Sequence, residues 1–258
     1  MTDHLRLRVF AGPNGSGKST IIEAIKKDQS TGRPINFGIY INADDIAKEL
    51  LYEKFDLGNY HIKYDENDLH SFAATSGLIT PDFTMDQFLS SFSVTGNKIR
   101  MNNADPAMHA AQLFARYLRE MMLEQKVTFS FETVFSHESN IEFMEKAVAA
   151  GYKVYFYFVS TESPLINKYR VDLRVKQKGH FVPEDKIEDR YYRSLQLMYK
   201  AAQISYQAYF FDNSGNDAPF RVAAHFKMIS NKKNWDPINP EEIPQWFKKY
   251  YLDKVTPA

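Results

Sequence analysis

Cysteine is absent from the sequence of 258 residues, which excludes a disulfide framework, a thiolate zinc site and a thiol nucleophile. No apolar run approaches the ~20 residues that a membrane-spanning helix needs. Residues 1–4 contain no basic stretch followed by an apolar one, so we expect no signal peptide, no membrane contact and a cytoplasmic location.

An excess of charge of one sign is also lacking, because 32 basic residues balance 32 acidic ones and the formal net charge is +0. A protein that binds nucleic acid over its whole surface carries a positive excess, so nucleic acid is not the expected partner. Hydrophobic residues make up 44% and aromatic residues 15%, which excludes disorder of the whole chain and predicts an aromatic-rich core. The length suits one large domain, and we expect 1–258 to form it.

Five largely apolar runs predict the strands of a parallel sheet that is covered on both faces. The runs are 5–11, 37–42, 127–131, 153–159 and 206–211. Segments with helical spacing lie between them, at 19–27, 43–52, 106–125 and 140–150. This alternation predicts an α/β fold, a three-layer sandwich around a mainly parallel five-stranded sheet.

Two regions interrupt the alternation of strands and helices. Residues 53–105 are polar, and we interpret them as a helical insertion with short helices such as 84–91. Residues 219–258 are predicted to form a small C-terminal extension, with a strand or hairpin at 222–229 and a short helix at 244–251.

The strongest signal is the segment 12–19, whose letters GPNGSGKS match the pattern G-x-x-x-x-G-K-[ST] in full. Its glycines permit a backbone in which successive N–H groups point at phosphate oxygens, and the helix that follows adds its N-terminal dipole. Lys18 is expected to contact the β- and γ-phosphates, and Ser19 to offer its hydroxyl to Mg²⁺. The predicted nucleotide-binding residues of the loop are Gly12, Pro13, Asn14, Gly15, Ser16, Gly17, Lys18, Ser19 and Thr20. The loop alone does not separate a kinase from a GTPase or an ATPase motor.

Acidic residues at two strand ends favour a kinase. The most continuous strand ends at Val159-Ser160 without the Mg²⁺-holding Asp of motors and GTPases, and the sequence has no Asn-Lys-x-Asp motif for guanine. Asp44 follows the second strand and Glu132 follows the third, and the carboxyl ends of parallel strands line the ligand crevice. A carboxylate that faces the γ-phosphate suits a general base for an acceptor hydroxyl, as in small-substrate kinases.

Both acids have a structural alternative. Asp44 stands just before an amphipathic helix, where an Asp often serves only as the N-cap. Asp45 is the better candidate for the cap or first-turn acid, and Asp44, two residues past the strand, is better placed to face a ligand. Glu132 lies in the apolar run FSFETVF, where a carboxylate needs a partner, and a structural ion pair would supply one.

The segment 165–195 follows the fourth strand, where kinases often place a lid over the nucleotide. Its guanidinium groups fit the charge on a transferred phosphoryl group, although interleaved acids make a solvated helix face the alternative. Arg170 and Arg174 lie four apart on one helix face and can converge. The four candidates are Arg170, Arg174, Arg190 and Arg193. Asn213, in the turn after the fifth strand, is expected beside the nucleotide base, and a simple turn is the alternative there.

Together these segments resemble the zeta toxin family of P-loop kinases. The matching stretches are FAGPNGSGKST, INADDIA, FSFETVF, GYKVYFYFVST, RVDLRVKQKGHFVPEDKIEDRYYRSL and FFDNSGN. The resemblance implies that Asp44 is the general base and that Glu132 binds the acceptor. It also implies that two lid arginines contact the phosphates, for which Arg174 and Arg170 are favoured over Arg190.

Well-known members of the family are similar to ATP-dependent kinases of UDP-N-acetylglucosamine, which phosphorylate the sugar's 3′-hydroxyl and act as toxins. The resemblance therefore implies ATP, Mg²⁺, a nucleotide-sugar acceptor and a small helical antitoxin as partner. The chain departs from the family at its insertion and at Val134-Phe135-Ser136, where some members carry Thr-Leu-Arg.

Two other functions stay open. One is a kinase of nucleic-acid ends or nucleosides, against which the neutral net charge weighs. The other is a nucleotide-binding switch or interaction protein without transfer chemistry, against which Asp44 and Glu132 weigh.

Overall fold

The computed structural model describes residues 4–27, 34–177, 181–215 and 220–255. The chain divides into two compact units, residues 1–37 with 132–258, and residues 38–131. The first unit contains the predicted phosphate loop, the lid segment and Glu132. The second unit contains Asp44 and the predicted insertion.

Strands and helices alternate along the chain, which confirms the predicted α/β class. The strands within the described residues are β1 (Arg6–Ala11), β2 (Ile39–Ile41), β3 (Phe55–Asp56), β4 (Phe92–Thr95), β5 (Lys98–Met101), β6 (Phe129–Thr133), β7 (Lys153–Ser160), β8 (Gln207–Asp212), β9 (Arg221–Ile229) and β10 (Lys232–Trp235). The longer helices there are α1 (Lys18–Lys27), α2 (Ala43–Tyr52), α3 (Glu66–Thr75), α4 (Met85–Ser90), α5 (Ala107–Glu124), α6 (Ser139–Ala149), α7 (Pro164–Lys176) and α8 (Glu184–Ile204).

The strands of the first unit lie in the order β10-β9-β8-β7-β1. The strands β1, β7 and β8 are parallel, with Phe10 opposite Tyr157 and Tyr157 opposite Tyr209. The last five residues of β7 are all buried, which is why this run is continuously apolar rather than alternating. β9 pairs antiparallel with β8, and β10 with β9.

Within the described residues the strands of this sheet number seven, not the predicted five. Five belong to the first unit and β2 to the second, while β6, which pairs in parallel with β2, begins in the second unit and ends in the first. The hairpin of β9 and β10 accounts for the difference, because the sequence predicted a strand or hairpin at 222–229 without placing it in the sheet. Ser230 and Asn231 turn this hairpin with positive φ angles of 48° and 61°, as two-residue hairpin loops require.

The second unit is not purely helical. Within the described residues β3, β5 and β4 form an antiparallel sheet in that order, so the predicted helical insertion also contains a sheet. Thr84 and Gln87 form a capping box at the start of α4, which is the short helix expected at 84–91. Phe114 of α5 contacts the rings of Phe55, Phe88 and Phe92 at centroid distances between 5.4 and 5.8 Å, which confirms an aromatic-rich core.

The lid segment 165–195 consists of α7 and the first part of α8, and its residues 178–180 lie outside the described ranges. Lys168 of α7 and Glu188 of α8 form an ion pair at 2.7 Å. The apolar cluster of the two helices and their connection is Val171, Val175, Val182 and Ile187. These contacts hold α7 and α8 against each other.

The C-terminal extension ends in helical turns that belong to the core. The rings of Phe247 and Tyr251 stack with centroids 5.0 Å apart, and both pack against Phe210 of β8. The helix predicted at 244–251 is therefore present. Across the described ranges, none of the helices has the length and apolar character needed to span a membrane.

Candidate functional site

The predicted phosphate loop connects β1 to α1. Gly15 and Gly17 adopt φ angles of 75° and 90°, which disfavour residues with a side chain. A Cβ atom on Gly15 would lie 2.5 Å from the Asn167 carbonyl oxygen, and one on Gly17 would lie 2.0 Å from Asn213 Nδ2. The two glycines therefore allow α7 and the turn after β8 to approach the loop backbone closely.

Two asparagine side chains fix the direction of the loop's peptide groups. Asn167 Nδ2 donates to the Asn14 carbonyl oxygen at 2.6 Å, and Asn213 Nδ2 donates to the Ser16 carbonyl oxygen at 2.8 Å. In a trans peptide the carbonyl and the following N–H point in opposite directions. Both contacts therefore turn the N–H groups that follow away from the asparagines, as an anion-binding nest requires.

Lys18 and Glu132 meet beside the loop. Lys18 Nζ donates to the carbonyl oxygens of Gly12 and Pro13 at 2.9 and 3.1 Å, and lies 3.9 Å from Glu132 Oε1. Only 9% of the Lys18 side chain and 14% of the Glu132 side chain are exposed. The partner that a carboxylate in an apolar run needs is thus the loop lysine itself. Glu132 lies inside β6 rather than after it, so the predicted end of this strand was wrong.

Two polar atoms of the loop fit a bound ligand. Ser16 Oγ and Asn14 Oδ1 are buried and make no hydrogen bond within the part of the chain that the structure describes. A buried polar atom without a partner costs free energy and needs an explanation. The Ser16 hydroxyl can donate to a phosphate oxygen, while the Asn14 oxygen can accept from a hydroxyl or water. The loop therefore fits an oxyanion ligand.

Arg170 and Asn213 are hydrogen-bonded to each other. Arg170 of α7 donates from its two terminal nitrogens to the carbonyl oxygens of Asn213 and Gly215, at 2.7 Å each. The Asn213 N–H donates to the Ser160 carbonyl oxygen at 2.9 Å. Asn213, which the sequence predicted beside the nucleotide base, lies against the phosphate loop.

The remaining lid arginines differ in surroundings. Arg193 is exposed and forms an ion pair with Asp189, one turn away on α8, which matches the solvated-face alternative. Arg190 is partly buried, and burial lowers its pKa from the ordinary value. Among the described residues Arg190 has no hydrogen-bond or ion-pair partner. Arg174 is partly buried on α7, with Nε fully buried.

Asn167 is a site residue that the sequence analysis missed. Its side chain is fully buried, and its Oδ1 accepts a hydrogen bond from Thr161 Oγ1. Tyr191 of α8 donates its hydroxyl to the Thr161 carbonyl oxygen at 2.6 Å, and burial raises the pKa of Tyr191 so that it stays protonated. An Asn in a polar helical segment gives no sequence signal for this role, because its burial depends on the position of the phosphate loop.

Asp44 and Asp45 both lie in the first turn of α2, and neither is its N-cap. Asn42 is the cap, and its side chain accepts a hydrogen bond from the Asp44 N–H at 2.9 Å. Asp45 lies 3.4 Å from Lys48 on the same helix, and Asp44 is exposed. The structural alternative for Asp44 is therefore wrong, and its role as general base stays a prediction.

No protein-family model matches the sequence. An uncharacterized protein of Haemophilus influenzae is 30% identical over 92 residues, which cover 36% of this chain and 62% of that protein. Chains from the AvrRxo1-ORF1:AvrRxo1-ORF2 complex with ATP and with sulphate ions superpose with TM-scores of 0.55, at 14% and 13% identity. Each match covers 94% of this chain, and 64% and 65% of the respective AvrRxo1 chain.

A chain of the PezAT chromosomal toxin–antitoxin system of Streptococcus pneumoniae matches over 97% of this chain and 80% of its own length, at 10% identity. Its TM-score of 0.49 is too low to support a conclusion. This chain spans less than two thirds of the Haemophilus and AvrRxo1 chains that it matches. The AvrRxo1 likeness, at 13% and 14% identity, shows that this chain shares the fold of those chains.

Proposed function

We propose that this protein is an ATP-dependent kinase that transfers the γ-phosphoryl group of ATP to a hydroxyl group of a small molecule. The observation that carries the proposal is the loop 12–19, with its carbonyl groups held by Lys18, Asn167 and Asn213 and its Ser16 hydroxyl left for a ligand. The fold, and the ATP in a structure of the AvrRxo1 complex, support the same assignment.

The phosphates of ATP would be held by the residues from Gly12 to Thr20. Lys18 would contact the β- and γ-phosphates, and the exposed Ser19 hydroxyl would contact Mg²⁺. No cluster of three or more His, Cys, Asp or Glu side chains within the described residues is arranged to hold a metal ion. Magnesium that is bound mainly by phosphate oxygens and water needs no such cluster.

We assign the acceptor side of the reaction to Asp44 and Glu132. Asp44 accepts the proton of the acceptor hydroxyl while the hydroxyl oxygen attacks the γ-phosphorus of ATP. The bond between the γ-phosphorus and the oxygen that bridges it to the β-phosphate breaks, and ADP leaves. Asp44 suits this role because Asn42 already caps α2. Glu132 binds the acceptor, and the nucleotide sugar UDP-N-acetylglucosamine is the first candidate on the sequence resemblance.

The lid arginines complete the proposed site, with Arg174 and Arg190 stabilising the charge on the transferred phosphoryl group. Arg190 suits this role because it is partly buried without an ion-pair partner among the described residues. On the sequence resemblance we also propose that the protein acts as a toxin restrained by a small helical antitoxin. We further propose that 1–258 works as one kinase domain.

Transfer from γ-labelled ATP tests the function. Purified protein is incubated with MgATP and, separately, with UDP-N-acetylglucosamine and with oligonucleotides, and the labelled product is identified. Label on the sugar nucleotide supports the proposal, and label on the oligonucleotides would favour a nucleic-acid kinase instead. Lys18→Ala should abolish transfer. Asp44→Asn should keep ATP binding and lose transfer, whereas Asp45→Asn, in the same helical turn, is the matched control that should keep both.

A further inference from the structure

Arg170 uses both terminal nitrogens of its guanidinium to bind backbone carbonyl oxygens of this chain, whereas an arginine that binds phosphate directs them at the ligand. Its two terminal nitrogens each donate at 2.7 Å, one to the Asn213 carbonyl oxygen and the other to the Gly215 carbonyl oxygen. A planar guanidinium that makes two hydrogen bonds is held in one orientation, which a lysine ammonium cannot reproduce. Burial lowers the pKa of Arg170, while the nearby Asp212 opposes this shift.

The turn that Arg170 holds is also in contact with the phosphate loop. Asn213 Nδ2 donates to the Ser16 carbonyl oxygen at 2.8 Å, and the same atom lies 2.0 Å from where a Cβ on Gly17 would be. The Asn213 backbone is tied on the other side to Ser160 at the end of β7. Hydrogen bonds to Arg170 and to the end of β7 therefore hold the Asn213 backbone on both sides.

The orientation of the Ser16–Gly17 peptide group follows from these contacts. Because the peptide is trans, a Ser16 carbonyl that points at Asn213 sends the Gly17 N–H to the opposite side, where the nest for the phosphates lies. Without the donor from Asn213, this peptide group can rotate, since glycine at position 17 offers little resistance.

We propose that Arg170 is a positioning residue, which acts through Asn213 to hold the Gly17 amide toward the phosphates, instead of a group that touches the transferred phosphoryl. The proposal rests on the proposed function, because it needs a nucleotide on the loop. Asn167 and Arg170 lie three residues apart on α7, so this helix holds the Asn14–Gly15 peptide group directly and the Ser16–Gly17 peptide group through Asn213.

Nucleotide affinities distinguish the two roles. A loop held in the wrong orientation weakens ADP and ATP alike, because both have a β-phosphate. A lost contact to the γ-phosphate weakens ATP alone. Isothermal titration with Mg²⁺ would compare β,γ-imido-ATP and ADP on wild type, Arg170→Ala, Asn213→Asp and the double variant. Asn213→Asp keeps the size of the side chain and removes the donor to Ser16. Arg100→Ala, an exposed arginine on β5, is the matched control.

We expect each single variant to bind both nucleotides about tenfold more weakly, because each removes either the Asn213–Ser16 hydrogen bond or the Arg170 contacts that hold Asn213 in place. The double variant should be no weaker than the weaker single one, because the two residues act along one path. Thermal unfolding identifies variants that fail to fold, and Asn213→Asp then tests the path by itself. The proposal would be overturned if the variants bound only the ATP analogue more weakly, or if their affinities for both nucleotides were unchanged. It would also be overturned if the losses of the two single variants added up in the double variant. A wild-type protein that binds neither nucleotide would refute the proposed function and this inference with it.

Discussion

Removing the charge of Glu132 is expected to destabilise the protein and at the same time to strengthen nucleotide binding. Glu132 lies 3.9 Å from Lys18 Nζ, and both side chains are almost buried. Two unit charges at that distance attract each other by about 4 kcal/mol at an effective dielectric constant of ~20. Glu132→Gln keeps the shape of the side chain but removes the negative charge 3.9 Å from the Lys18 ammonium.

The expected loss in free energy of unfolding is about 3 kcal/mol, the lower end of the range for breaking a buried pair, because Lys18 keeps its bonds to two carbonyl oxygens. The effect on ATP has the opposite sign. The carboxylate repels the phosphates and competes for Lys18, so the glutamine variant should bind MgATP more tightly than wild type. Urea unfolding measures the first quantity and isothermal titration the second.

The matched control is Glu138→Gln, which breaks an ion pair with Lys200. That pair is shorter, at 2.7 Å, but its side chains are 59% and 53% exposed. Water screens it, so the expected loss is under about 1 kcal/mol. The reasoning is refuted if the exposed pair costs as much as the buried one, or if Glu132→Gln weakens ATP binding.

Three further predictions follow from single contacts. Asn42→Ala removes the cap of α2 and should lower the free energy of unfolding by about 1 kcal/mol in urea titration, whereas Asp45→Ala, which caps nothing, should not. Tyr191→Phe removes the shorter of two hydroxyl contacts to the Thr161 carbonyl oxygen and leaves that of Ser160 Oγ at 3.3 Å, so it should cost about 1 kcal/mol in urea titration, and an unchanged stability would contradict this. Burial lowers the pKa of Lys233 from 10.5 to about 8, so the folded protein releases this proton before the unfolded chain does. Stability should therefore rise between about pH 8 and pH 10.5 relative to Lys233→Met, and parallel pH profiles of the two proteins would contradict the shift.

The loop 12–19 between a strand and a helix, and the helix α2, could be predicted because their signals are local. The glycine spacing of 12–19 and the strand and helix on either side are read from neighbouring residues, and the helix expected at 43–52 has those bounds in the structure. The strand assignments were weaker. The sheet of β3, β5 and β4 and the placement of the β9–β10 hairpin were missed, since a strand is stabilised by a partner that is distant in sequence.

The sequence by itself determined that a glycine-rich loop leads into α1, that acids lie near the strand ends, and that arginines are concentrated in 165–195, because residue type and spacing are enough for each. Only the tertiary structure decided what these residues contact. It placed Glu132 on Lys18, Asn213 beneath Gly17 and Arg170 on the turn after β8. These contacts join residues that are distant in sequence. Arg170 and Asn213 are 43 positions apart, and Ser16 and Asn213 are 197 positions apart. No periodicity in the chain encodes such pairings, because they arise when packing brings separate elements to the same loop.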